Sequence, residues 1–209
     1  MRIAGKRTDK GWMALKTRLQ TQPSRPLWDL AYRNFYRTRI DTRYLEPIAS
    51  IKDRDTQRGE GFAIAALFCT LIEFLESCEK GCNFHFIGGT KEVLQHYEYS
   101  QRQASSYFKD FMRTRTPFNT LVPSALVDSF YRDVRCGLLH EARTKGGWQI
   151  STAKSNGALI SQKSGKIYLS RNVLIKALEI YFLDYRLRLL ANSNTQEAFI
   201  RKFDFLCQP

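Results

Sequence analysis

Acidic residues are scarce in this chain. Twenty Asp and Glu stand against 33 Lys and Arg in 209 residues, a formal net charge of +13. Such an excess favours a negatively charged partner, nucleic acid before an anionic membrane. Long hydrophobic runs are missing as well. The longest, Phe62 to Leu75, is interrupted by Thr70 and Glu73 and is too short for a bilayer, so no membrane partner is expected. Cysteine offers no disulfide framework. The five cysteines are an odd number without a regular spacing, which fits free thiols in a reducing cytoplasm. No secretory leader is visible, because the first twelve residues are polar and basic. The chain also lacks a G-x-S-x-G elbow, a phosphate loop, a dinucleotide fingerprint and paired carboxylates on a polar face. Cys78, Cys82 and His85, with Cys69 upstream, give C-x3-C-x2-H without a matching second half, so neither a metal nor another cofactor is expected. Internal repeats and low-complexity tracts are absent.

What is present reads as a folded, mainly α protein. Hydrophobic residues make up 43% and charged residues 25%, enough for a full core in a chain of this length. Residues 1–58 read as a basic N-terminal helical extension, and residues 59–209 as a helical domain with a β insertion at about 147–170. Residues 1–43 hold eleven Lys or Arg against three Asp. Within them Trp12, Met13, Leu15 and Leu19 suit a short amphipathic helix, and Leu27 to Tyr36 suits another. Arginines at 33, 37, 39 and 43 alternate with Tyr32, Tyr36 and Tyr44, which reads as an aromatic core face beside a solvated arginine face, or as a grip on single-stranded RNA. Pro47 marks an expected break.

A helix from about Gly59 to Cys78 is apolar nearly all round, the pattern of a helix buried in a bundle. Glu73 and Glu76 interrupt it, and a carboxylate there needs a partner. Glu73 is expected to meet Arg135 or the His140 ring, or to form a purely structural ion pair. Ser100 with Gln103 suggests a capping box opening the next helix, which carries Arg102, Lys109, Arg113 and Arg115 outward and ends at Pro117. After Gly146-Gly147, short apolar runs separated by SNG and KSGK predict two or three strands, a small hairpin between helices. Ser170 opens a long helix to about Leu190. Ser193 with Gln196 suggests another capping box and a last helix carrying Phe199, Phe203 and Leu206.

The densest chemistry lies in FYRDVRCGLLHEARTK, Phe130 to Lys145. Leu126, Phe130, Val134 and Leu138 recur every fourth residue, with Val127 and Tyr131 beside them, an apolar stripe on a helix. At about 100° per residue, Arg135 falls just beyond one edge of the stripe and His140 beyond the other, with Arg132 and Arg143 between them on the outer arc. Arginine grips phosphate in a fixed fork, and histidine moves protons near neutral pH. The arrangement suits an RNA backbone, with Arg132, Arg143, Lys145, Arg102 and Lys109 as further phosphate contacts.

An Arg and a His with four residues between them, in a long amphipathic helix after an apolar one, resemble the signature of the HEPN superfamily over roughly residues 59–190. That resemblance implies an HEPN-like helical bundle with, here, a short β-hairpin insertion. It implies a metal-independent endoribonuclease that works as a homodimer through Arg135 and His140, with Glu73 and Cys136 in support. A toxin or anti-phage setting with an antitoxin or other regulatory protein is in keeping with the family. Two positions depart from it. Cys136 stands where the family usually has Asn, Asp or His, and Ala142 stands where some family toxins carry Tyr. Cys136 favours the alternative, a non-catalytic module of the same fold that binds RNA or a partner protein.

Overall fold

The computed structural model describes residues 1–53, 59–89, 92–152 and 157–208. The chain is mainly helical, with three small sheets. It forms two compact units, each assembled from separated stretches.

One unit comprises Met1–Pro47, Ser77–Arg102 and Asp184–Pro209. It opens with an antiparallel pair, Arg2–Ala4 and Arg7–Thr8. Thr8 then caps the helix Asp9–Thr21 by accepting from the Gly11 amide at 3.2 Å. This helix and the last one, Ser193–Leu206, share one aromatic core. Trp12 lies 5.3 Å from Phe203 and 5.8 Å from Phe199, and its indole N–H donates to Asp204 Oδ1 at 2.8 Å. Buried Tyr36 stacks on Tyr185 at 4.5 Å. The first 47 residues are therefore joined to the C-terminal helix, and the chain does not divide at residue 58. The aromatic residues that composition assigns to an extension are core residues whose partners lie some 150 residues away.

The helical run from Arg25 does not break at Pro47. α-Helical turns at Arg25–Ala31 and Thr38–Ile40 alternate with π-helical turns at Tyr32–Arg37 and Asp41–Leu45, and Glu46–Asp53 follows directly. Pro47 sits in the first turn of that last segment, where its missing amide proton costs little, and the wide π turn before it loosens the hydrogen-bond ladder. Tyr32 and Tyr36 are buried, while Arg33 and Arg37 pair with Asp29 and Asp41. The core-face reading of this arginine–tyrosine stretch therefore holds for those residues. Asn83–Phe84 pairs in parallel with Glu98–Tyr99 in the same unit.

The other unit comprises Ile48–Glu76 and Gln103–Leu183. It holds most of the helix Glu60–Lys80, whose residues from Ser77 belong to the first unit. By length and composition this helix is apolar enough to cross a membrane, and 56% of its most apolar window is buried inside the fold. Glu76 is fully buried and accepts two hydrogen bonds from Arg115, at 2.8 and 2.9 Å. The next helix runs Ala104–Thr114. Ser100 does not open it; Gln103 is its N-cap residue, without a side-chain cap bond. Likewise Asn192, accepting from the Thr195 amide at 3.0 Å, caps the last helix in place of Ser193. Aromatic rings tie this unit together: Phe68 to Phe118, Phe111 to Phe118 and Tyr181, and Phe130 stacked on Trp148.

The β insertion is more than a hairpin. Ile160–Lys163 and Lys166–Ser170 form an antiparallel hairpin, and Trp148–Ser151 adds to Lys166–Ser170 in parallel. Ser164 and Gly165 both have positive φ, +50° and +73°, the geometry of a two-residue hairpin turn. The parallel partner is far apart in sequence, so no turn signal announces it. Part of the SNG stretch expected as a connection lies outside the described residues.

Candidate functional site

The motif helix is built from four unlike turns. A 3₁₀ turn, Ser124–Leu126, follows Pro123; Val127–Ser129 is α-helical, Phe130–Arg135 π-helical and Cys136–Glu141 α-helical. Most of the expected stripe is buried, with Val127, Phe130 and Val134 fully enclosed and Leu138 9% exposed, while Leu126 and Tyr131 are half-buried. The π turn widens the backbone spiral. Asp133 is inside at 5% exposure, and Arg132 covers it with two hydrogen bonds of 2.8 and 2.7 Å.

The helix also ends early. Ala142 adopts the left-handed conformation at φ 53°, and the Arg143 amide folds back to the Gly137 carbonyl at 3.3 Å. Gly137 makes room for this reversal, since a Cβ there would stand 2.5 Å from the Arg143 carbonyl oxygen. Arg143 therefore leaves the helix, contrary to the expected outer arc, and Lys145 follows it. Both pair with Glu141, whose carboxyl is held below its usual range first by the Lys145 hydrogen bond and then by Arg143.

Arg135 is a half-buried arginine held on two sides. Its Nη2 lies 3.4 Å from Glu73 Oε2, and both side chains are 19% exposed. Its guanidinium lies over the Tyr131 ring, 5.4 Å from the centroid. Lys109 approaches the same ring at 5.5 Å and pairs with Asp128 at 2.7 Å. Burial raises the Tyr131 phenol above its ordinary range; Arg135 opposes that rise, and Cys136, hydrogen-bonded to Tyr131, adds to it.

Beside Arg135 opens a cavity of about 150 Å³. Cys69, Thr70 and Glu73 line it from one helix, Arg135, Leu138 and Leu139 from the other. The Cys69 thiol is buried, which pushes its pKa up to about 12 against the pull of Arg135. Leu139 is 59% exposed at the rim. Among the described residues, no group of three or more His, Cys, Asp or Glu could hold a metal ion.

His140 is exposed at the end of the helix and makes no hydrogen bond or ion pair with another described residue. Arg135 and His140 are five residues apart across α-helical backbone, so they diverge by about 140° and about 7.5 Å of rise. One chain therefore does not bring them together on one face. Of the other expected phosphate contacts, Arg132, Lys109, Arg143 and Lys145 belong to this unit, each paired with a carboxylate; Arg102 is exposed and belongs to the other unit.

Sequence reading missed Tyr131 as the rest for Arg135, Arg115 as the partner of Glu76, and the cavity itself. The cavity had a signal. Ala66, Cys69, Thr70 and Glu73 follow the spacing i, i+3, i+4, i+7, one face of the helix that ends in the singled-out glutamate. Compared with known proteins, the chain matches no family model, no curated protein and no solved structure.

Proposed function

We propose that this chain is a metal-independent endoribonuclease in which Arg135 and His140 act on one RNA phosphodiester. The observation that carries the reading is the contrast within one helix: Glu73 and Tyr131 hold Arg135 in place, while His140 stays exposed. Arg135 binds the scissile phosphate and stabilises the charge that builds on it. His140 takes the proton from the 2′-hydroxyl or delivers one to the leaving 5′-oxygen, a role worth roughly 10²- to 10⁴-fold. The 2′-oxygen attacks phosphorus, the bond to the 5′-oxygen breaks, and a cyclic phosphate and a 5′-hydroxyl result.

Because the two side chains diverge on one helix, the reading includes a two-fold dimer in which Arg135 of one copy and His140 of the other face the same phosphate. The HEPN resemblance supports the same arrangement and control by a regulatory protein, and the five free cysteines fit a cytoplasmic setting. The second reading, a non-catalytic RNA- or partner-binding module, is favoured by Cys136, which follows Arg135 where the family usually has Asn, Asp or His. A single 2′-deoxy nucleotide separates the two. Placed at the scissile position, it blocks cleavage and spares binding if the first reading holds. RNA bound tightly but never cut, with the 2′-hydroxyl present, supports the second.

A further inference from the structure

The 150 Å³ cavity beside Arg135 is not needed to grip a phosphate, yet it is open at its rim and chemically ordered. An apolar cavity of about that volume holds one six-membered aromatic ring in other proteins, so it takes the six-membered ring of a purine and leaves the five-membered ring at the open rim. Here the apolar walls come from Leu138 and Leu139, and one wall is polar.

The polar wall has a definite hydrogen-bonding sense. Glu73 offers only acceptors as a carboxylate. The Thr70 hydroxyl uses its proton on the Ala66 carbonyl at 3.0 Å, so it faces other groups as an acceptor. Arg135 offers only donors, from a guanidinium whose Nη2 lies 3.4 Å from Glu73. A ligand edge that fits must carry several N–H donors beside one acceptor. Among the bases, guanine presents that edge, with N1–H and N2–H₂ beside O6. Uracil has one N–H between two carbonyls, and adenine and cytosine have a single amino group beside acceptors.

We infer that this cavity is a pocket for a guanine base of single-stranded RNA, with Glu73 accepting from N1–H and N2–H₂ and Arg135 donating to O6. Unstacked bases in single strands are read on this edge. Arg135 has five N–H donors, so it serves the base and the phosphate beside it. The inference rests on the RNA-cleaving reading and adds what that reading leaves open, the base next to the cut.

The test uses the full chain and fluorescently labelled A-rich decamers with G, A, C or U at one central position, uncleavable because every nucleotide is 2′-deoxy. Anisotropy in the wild type should show binding about ten-fold or more tighter for G than for A, C or U. That ratio should fall to near one in Glu73→Gln, which loses an acceptor. It should also fall in Leu139→Trp, which fills the mouth from an exposed position and leaves the Glu73–Arg135 pair alone. Equal affinity for all four decamers in the wild type overturns the pocket and leaves the ribonuclease reading standing. A G preference that survives both substitutions overturns it too. Failure to bind any decamer, together with no cleavage of the all-ribose versions, removes the ribonuclease reading and the pocket with it.

Discussion

Arg115 and Glu76 show how much one ion pair can matter to this fold. Glu76 is fully buried, and Arg115, 25% exposed, meets both its carboxylate oxygens. Breaking a buried ion pair by removing one member is strongly destabilising, because part of the carboxylate's desolvation is then left uncompensated. Arg115→Met should therefore lower stability by about 3–5 kcal/mol, read from the midpoint of urea unfolding at neutral pH. A midpoint unchanged from the wild type would mean that water or another group satisfies Glu76. The sequence announces that a glutamate in the apolar helix needs a partner. It does not announce which, since Glu73 and Glu76 lie only about 60° apart around the same helix and their arginines, Arg135 and Arg115, come from distant segments. Glu73 with Arg135 was among the partners that spacing suggested; Arg115, read as an outward cation, was not.

At the scale of elements, helix positions and the buried stripe of the motif helix were legible because periodicity reports burial directly. Its inner turns were not. Three π-helical turns, at Tyr32–Arg37, Asp41–Leu45 and Phe130–Arg135, have no residue signature comparable to a cap or a proline. The last of them holds the buried Asp133, while Arg132 and His140 stay exposed as a regular wheel places them. The early helix end was hidden for a related reason. Gly146-Gly147 looked like the stop, but Gly137 is the residue that lets the chain reverse at Ala142. Gly137→Ala should force its new methyl against the Arg143 carbonyl. That should cost about 1–3 kcal/mol and raise amide exchange across Leu139–Lys145, where the chain turns back beside His140. Exchange rates in that segment equal to those of the wild type would show that the reversal does not depend on the missing Cβ. The strand at Trp148–Ser151 was legible as a short apolar run, but its parallel pairing was not, because no local turn joins it to its partner as the KSGK turn joins the hairpin.

At the scale of the molecule, the charge of +13 is the broadest signal and the least specific. Where it can be followed in detail it is locally compensated: Arg132, Arg143, Lys145 and Lys109 all have carboxylate neighbours. RNA must then compete with Asp133, Glu141 and Asp128 for those cations, so fewer phosphates are neutralised than the net charge suggests. Plots of log K against log salt for single-stranded RNA should have a slope of about −0.7 per phosphate, reaching near −4 with about six contacts. A slope near zero would show that the charge serves something other than RNA. The two-unit organisation was not legible, because Trp12, Tyr36, Tyr185 and Phe203 meet across most of the chain and composition alone cannot reveal which aromatics are partners. The central claim, that Arg135 and His140 make this fold a ribonuclease, is tested most directly by end-labelled RNA incubated in EDTA with the wild type and with His140→Ala. Because His140 is exposed and contributes nothing to the core, the variant should keep its fold while cleavage falls by at least about 100-fold. His140→Ala cutting RNA as fast as the wild type would contradict the account.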